Sequence, residues 1–335
     1  MKKLLKDLAY LSGLRDRTSA DLALVKLIAH SDLWHFTTVR LLRAMGPVQD
    51  QRWVTLGQIV GSQSEPDFDG FCVDASTLPR LAEFTQREAA IVTESVIRAG
   101  NAPCVTVFPI DTQASVCSLL EVESVEPLSP TAEAMIDSVL HLFENIQGLL
   151  DRSERDTVTG LLNREAFNNP FLRVAQSPDT PVERSQTDRR IAITRTHGWL
   201  AVADFAPKTD DDVLRNLADL MRDTFSWPDQ LYRLGGNKFV LLLRSHNDAS
   251  AMTAVERLRH QIEKHAFPHI GRLDFHMGLV PLRDNDNASD ALTRADLTLD
   301  YAKKHNKNEI YSYTALVASG KLVDPSDKTD EFDFY

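Results

Sequence analysis

The chain of 335 residues is 43% hydrophobic and 25% charged, with a net charge of −11. That length predicts about two domains, and the negative balance argues against a sequence-independent grip on nucleic acid, which needs clustered Lys and Arg. Three widely spaced cysteines, Cys72, Cys104 and Cys117, form neither a metal-ligand pattern nor a disulfide framework and read as buried thiols of a reducing compartment.

The first residues carry Leu4, Leu8 and Leu11 at helical spacing, interrupted by Asp7 and Arg15. This predicts an amphipathic helix over 1–16 rather than a signal peptide. No stretch approaches the ~20 apolar residues of a membrane span, so a cytoplasmic protein without membrane contact is expected. Asp21–Ile28 and Trp34–Met45 read as helical or mixed, Trp53–Val60 as a strand, and Pro79–Arg98 as a helix with Leu81, Phe84, Ala89 and Val92 apolar. Two strands follow, Pro103–Ile110 and Ala114–Val125, joined by the turn residues Asp111-Thr112-Gln113 into a hairpin. Helices flanking an antiparallel sheet predict an α+β domain.

The run Val105-Thr106-Val107-Phe108-Pro109-Ile110, the turn, Ser118-Leu119-Leu120-Glu121-Val122 and then Pro127-Leu128-Ser129 ahead of a helix resembles the late hairpin of a GAF domain. The resemblance spans residues 17–130 and implies a sensor domain. A structural or dimerising sheet domain without ligand is the alternative.

In the helix predicted over 131–155, Ile136, Val139, Phe143, Ile146 and Leu150 recur at alternating steps of three and four, the seam of a short parallel coiled coil. Leu140, Leu142 and Leu149 widen the stripe towards that of a helix packed on its own domain. The expectation is a linker that makes a homodimer.

Asp156, Thr159, Gly160, Leu161, Asn163, Arg164 and Phe167 then fall in order on D-x-L-T-G-L-x-N-R-x-x-F, with Val158 in place of the first Leu. This motif resembles the start of the GGDEF family, the diguanylate cyclase domains. Asn163 is placed to cap a following helix, and Asp156 and Arg164 are expected to pair. Pro178–Arg190 is polar and expected to be disordered. A buried strand, Leu200–Phe205, and a helix, Asp212–Phe225, precede the stretch Tyr232-Arg233-Leu234-Gly235-Gly236-Asn237-Lys238-Phe239, which reads as a β-hairpin turned at glycines. A helix (Ala249–His265), a strand (Leu273–Val280), a helix (Ser289–His305) and Glu309–Ser312 complete the domain. Within them, Ala295-Asp296 through Ala302-Lys303 to Asn308 is similar to the family's A-D-x-A-L-Y-x-A-K-x-x-G-R-N. The resemblance covers 156–314 and implies a GGDEF-like α/β sandwich with a mostly antiparallel sheet, in a chain whose last residues, 315–335, form an acidic disordered tail.

The resemblance also implies chemistry: two GTP molecules joined into cyclic di-GMP, with metal ions held by one carboxylate of an early D-x-D and another at the fourth signature letter. Here Val202 falls on the first of those positions if Asp204 is the second, and Lys238 falls on the other. Such a site would repel Mg²⁺, so no metal and no catalytic residue are expected. Gly235, Gly236, Asn237, Lys238, Asp211, Lys303 and Lys307 remain as candidate contacts to GTP or cyclic di-GMP. The lysines either grip phosphate without a metal or are solvated surface charges. Asp229 matches the aspartate of the family's R-x-x-D inhibitory site, but Ser226 replaces its arginine; Arg222, one helical turn away, is a substitute. The implied function is a catalytically inactive signalling module of bacterial cyclic di-GMP pathways that contacts another signalling protein. An active cyclase with non-standard metal ligands is the alternative.

Overall fold

The computed structural model describes residues 2–46, 48–69, 77–100, 103–111, 118–167, 197–205, 210–225, 229–267, 269, 271–283, 286–305 and 308–324. They divide into two units, one ending at Ser153 and the other beginning at Glu154. Cys72, Cys117, Pro178–Arg190, Ser226, Lys307 and the residues from 325 on lie outside the described residues.

The first unit runs α1 (Lys2–Gly13), α2 (Arg17–Ala29), β1 (Thr38–Met45), β2 (Arg52–Val60), α3 (Thr85–Thr93), β3 (Ile97–Ala99), β4 (Cys104–Ile110), β5 (Ser118–Ser124) and α4 (Pro130–Glu154). Its five strands form one antiparallel sheet in the order β2-β1-β5-β4-β3. Val39, Leu41, Ile59, Phe108, Leu120 and Val122 face α1, α2 and α4 in one core. Leu42, Ala44, Trp53, Val107 and Leu119 form a second core with Ala90 of α3. Because both faces of β1 are covered, its sequence lacks clean alternation, which is why Trp34–Met45 reads as mixed although Thr38 onward is strand. The helix expected over Pro79–Arg98 is restricted to α3: Glu94 takes a left-handed conformation at φ 48° and ends it. The expected separate helix over 1–16 belongs to the same core, with Leu11 fully buried.

The coiled-coil seam is corrected. Ile136, Val139, Phe143, Ile146 and Leu150 are buried in the first unit's own core, together with Leu140. The side-chain amide of Gln147 donates to Asp21 of α2 at 2.9 Å, and Arg17 pairs with Asp151. The buried stripe is the broad one of a globular helix, not the narrow seam of a coiled coil, so these side chains are spent within one chain.

The second unit runs β6 (His197–Phe205), α5 (Asp211–Thr224), β7 (Gln230–Gly235), β8 (Lys238–Ser245), α6 (Asp248–Lys264), β9 (Phe275–Pro281), α7 (Ala288–Lys303), β10 (Ile310–Ser312) and α8 (Tyr313–Ala318). The strand order is β10-β9-β6-β8-β7, with β10–β9 parallel and the other pairs antiparallel. One face, with Ala201, Ala203, Phe239, Leu241 and Leu279, packs on α5 and α6. The other, with Leu200, Val202, Val240, Leu242 and Val280, packs on Ala291, Ala295 and Leu299 of α7. Side-chain caps start the helices: Asp210 accepts from the Val213 amide, Asn247 from Ser250 and Asn287 from Asp290. The tail expected from 315 is ordered at its start, where α8 buries Leu316, and Asp324 is buried against Arg283.

Candidate functional site

The glycine pair ends β7 and leads into β8 through the two-residue loop Gly236-Asn237. Gly235 and Gly236 have φ of 116° and 55°, while Asn237 does not share the positive sign. Glycine first in a two-residue loop is what a type II′ hairpin requires. A Cβ added at either glycine would meet nothing within 4 Å, so backbone conformation, not space, selects glycine here. Asn237 fastens the turn to the end of β6: its carbonyl accepts from the Phe205 amide at 3.2 Å and its side-chain amide donates to the Phe205 carbonyl at 3.3 Å.

Across the β6–β8 ladder Val202 lies opposite Val240, and Asp204 lies opposite Lys238. Residues two apart share a face, so Asp204 and Lys238 continue the apolar α7-covered face to its polar end. Val202 is completely buried in that core. It is Asp204, and not Val202, that stands opposite Lys238, the fourth signature letter. His276 of β9 lies opposite Asp204 on its other side.

Both lysines are already engaged. The Lys238 ammonium is 2.5 Å from Asp296 Oδ1, and the Lys303 ammonium is 2.5 Å from Asp204 Oδ2. Two ion pairs thus tie α7 to β8 and β6. A divalent cation does not fit these side chains, because Asp204 and Asp296 are each taken by an ammonium and Lys238 would repel the ion. Among the described residues, no cluster of three or more His, Cys, Asp or Glu is arranged to hold a metal. Asp211 is exposed in the first turn of α5, 4.0 Å from Arg215, and the structure does not join it to this cluster by any described contact.

The segment before the sheet is folded around Asp156. Its Oδ1 accepts from the Thr159 amide at 2.9 Å and hydroxyl at 2.7 Å, and Arg233 donates to both its oxygens at 2.9 and 3.1 Å. Burial opposes ionisation of Asp156, but the Thr159 hydrogen bonds and the Arg233 guanidinium outweigh it and hold the carboxyl below its usual value. The expected partner, Arg164, instead donates to the Leu234 carbonyl at 3.2 Å. Asn163 does cap the following turn, accepting from the Ala166 amide at 3.0 Å. Arg233 also donates to the Gly236 carbonyl at 3.0 Å, so one side chain touches both motifs.

Asp229 sits between α5 and β7, accepting from the Arg244 amide at 3.1 Å. Burial pushes its carboxyl up to about 6, against the opposing pull of Arg244 and Arg257. Arg222 is not a substitute partner here: it donates to the Thr159 carbonyl at 2.5 Å and to Asp219 at 2.8 Å. Sequence reading missed Asp296, Arg233 and Arg257 as members of these clusters. The first two had a signal, since Asp296 is a letter of the α7 motif and Arg233 lies two residues before the glycines.

The second unit is a mixed α/β domain built on a five-stranded sheet. Residues 153–309 match the family model described as diguanylate cyclase, GGDEF domain, and the chain carries that domain there. It is 21% identical over 201 residues to the diguanylate cyclase DgcS of Shewanella oneidensis, covering 60% of this chain and 62% of that one. It is 22% identical over 211 residues to an uncharacterized membrane protein of Staphylococcus aureus, covering 61% and 58%. The chain thus spans about three-fifths of the length of these curated relatives. Among solved structures, the coiled coil and GGDEF domain of DgcB from Caulobacter crescentus, in complex with c-di-GMP, is 18% identical with a TM-score of 0.43, over 55% of this chain and 100% of that one. The diguanylate cyclase SiaD of Pseudomonas aeruginosa, in complex with its activator SiaC, is 23% identical with a TM-score of 0.43, over 54% and 70%. Among the described residues no helix is long and apolar enough to cross a membrane.

Proposed function

We propose that this chain is a non-enzymatic signalling protein of cyclic di-GMP pathways, whose GGDEF domain acts as a regulatory module that contacts a protein partner or a nucleotide. The observation that carries this reading is the Lys238–Asp296 ion pair at the signature hairpin. Phosphoryl transfer between nucleotides depends on cations fixed beside the phosphates, and an ammonium already paired with a carboxylate supplies no such position. The first unit is read as the GAF-like controlling domain. A five-stranded antiparallel sheet and a long helix following its last strand are consistent with that role. Its influence would travel as a shift in conformational population along the chain at α4.

The test is incubation of the full chain with GTP and Mg²⁺, with cyclic di-GMP followed by chromatography. No product is expected. Product that disappears in Asp204→Asn would overturn the reading and favour an active cyclase with non-standard ligands, for which Asp204 opposite Lys238 is the supporting feature. Calorimetric titration with GTP then separates the two non-enzymatic roles. Saturable binding indifferent to Mg²⁺ marks a nucleotide sensor, and absence of binding marks a protein-interaction module.

A further inference from the structure

We infer that Lys238 is a built-in cation, which takes the electrostatic place of a divalent metal and closes a self-neutral cluster with Asp296, Lys303 and Asp204. The inference rests on the non-enzymatic reading above and deepens it: the site is held in a metal-free state by its own side chains.

The geometry is that of a crossed pair. Asp204 and Lys238 are directly opposite on adjacent antiparallel strands, a placement that brings Cβ atoms to roughly 5 Å. Asp296 and Lys303 lie seven residues apart on α7, close to two full turns and therefore on one face. Lys238 reaches up to Asp296 and Lys303 reaches down to Asp204, each at 2.5 Å. Two positive and two negative groups cancel, and Asp204 and Asp296 are each held by an ammonium.

A glutamate at 238 would stand opposite Asp204 with Asp296 beside it. Two carboxylates facing each other across strands repel, and the relief available is a bridging cation with oxygen ligands from both strands and from α7. Lys238 removes that need by carrying the positive charge on the chain itself. The wild type should therefore be indifferent to divalent ions at this site, and the loss of one ammonium should create an ion site from residues already in position.

The experiment uses the full chain and Mn²⁺ as the probe, with free Mn²⁺ read by electron paramagnetic resonance and melting temperature recorded in parallel. Lys238→Glu should acquire a saturable Mn²⁺ site at least about tenfold tighter than any in the wild type, lost again when Asp204→Asn is added. Lys238→Gln, which frees Asp296 without adding charge, should melt at a higher temperature when Mn²⁺ is present, whereas the wild type should not. The inference is overturned if neither folded variant gains Mn²⁺ over the wild type, or if the wild type itself binds Mn²⁺ through Asp204. Cyclic di-GMP made from GTP by the wild type would refute the non-enzymatic reading instead, so the two failures are distinct.

Discussion

Asp156 and Arg233 are joined by two hydrogen bonds of 2.9 and 3.1 Å, and the same guanidinium donates to the carbonyl of Gly236 at 3.0 Å. One arginine therefore fixes both the segment that leads into the GGDEF domain and the turn that carries its signature.

Arg233→Ala should lower the stability of the second unit by about 1.5–3 kcal/mol, the range for hydrogen bonds to charged groups. The Asp156 carboxyl is held below its ordinary value of 3.8, so its contribution is present above that pH and is lost as pH falls through the lower folded value. Denaturant midpoints of wild type and variant should accordingly differ at pH 7 and converge as the pH falls below the ordinary carboxylate range. A gap that is constant with pH would show that Asp156 is not the partner that matters.

Asp229 works in the opposite direction. Its carboxyl is pushed up to about 6 by burial, so the folded state binds its proton more tightly than the unfolded chain does. Stability should then fall as pH rises from the ordinary 3.8 towards 6, with a total effect on the order of 3 kcal/mol. Asp229→Asn should flatten that fall and leave the variant more stable than the wild type at pH 7. Urea titrations at several pH values would check it.

Phe143→Asp distinguishes the packing of α4 from a dimer seam. Phe143 is 1% exposed within the first unit's core, so a carboxylate there should cost at least about 3 kcal/mol and unfold that unit. Circular dichroism and limited proteolysis would report the loss. A variant that stays folded while its mass by light scattering halves would restore the coiled coil.

Gly278→Ala tests the spacing between α7 and the sheet. A Cβ at this position would lie 2.9 Å from Thr298 Cγ2, so the helix must shift outward. A destabilisation of roughly 1–3 kcal/mol is expected from such overpacking. Lys238 of β8 reaches Asp296, and Lys303 of α7 reaches Asp204 of β6, across that same gap; the double variant Gly278→Ala/Thr298→Ser should recover part of the loss in thermal melting.

Local features of the fold were legible in the sequence, and long-range ones were not. The glycine pair identifies its hairpin because positive φ is a property of the residues themselves, and Asn163 identifies its cap for the same reason. The strand from Thr38 was obscured because both faces of β1 are covered and the alternation is lost. The seam at Ile136, Val139, Phe143, Ile146 and Leu150 has correct spacing but the wrong partner: periodicity reports that a stripe is buried, not against what. The pairing of Lys238 with Asp296 joins residues 58 positions apart, and only the placement of α7 over β8 brings them together.

The segment around Leu162 carries a consequence for the sheet's edge. β7 is an outer strand, yet Leu162 receives it as a partner: the Leu162 amide donates to the Leu231 carbonyl at 3.1 Å, and the Arg233 amide donates to the Leu162 carbonyl at 2.8 Å. Unpaired strand edges recruit other chains, and this short bridge occupies donors and acceptors that would otherwise do so. A shortened chain beginning after Asn163 would bare that edge beside the buried Tyr232. Self-association through added strands, seen as thioflavin-positive aggregates, is the expected outcome.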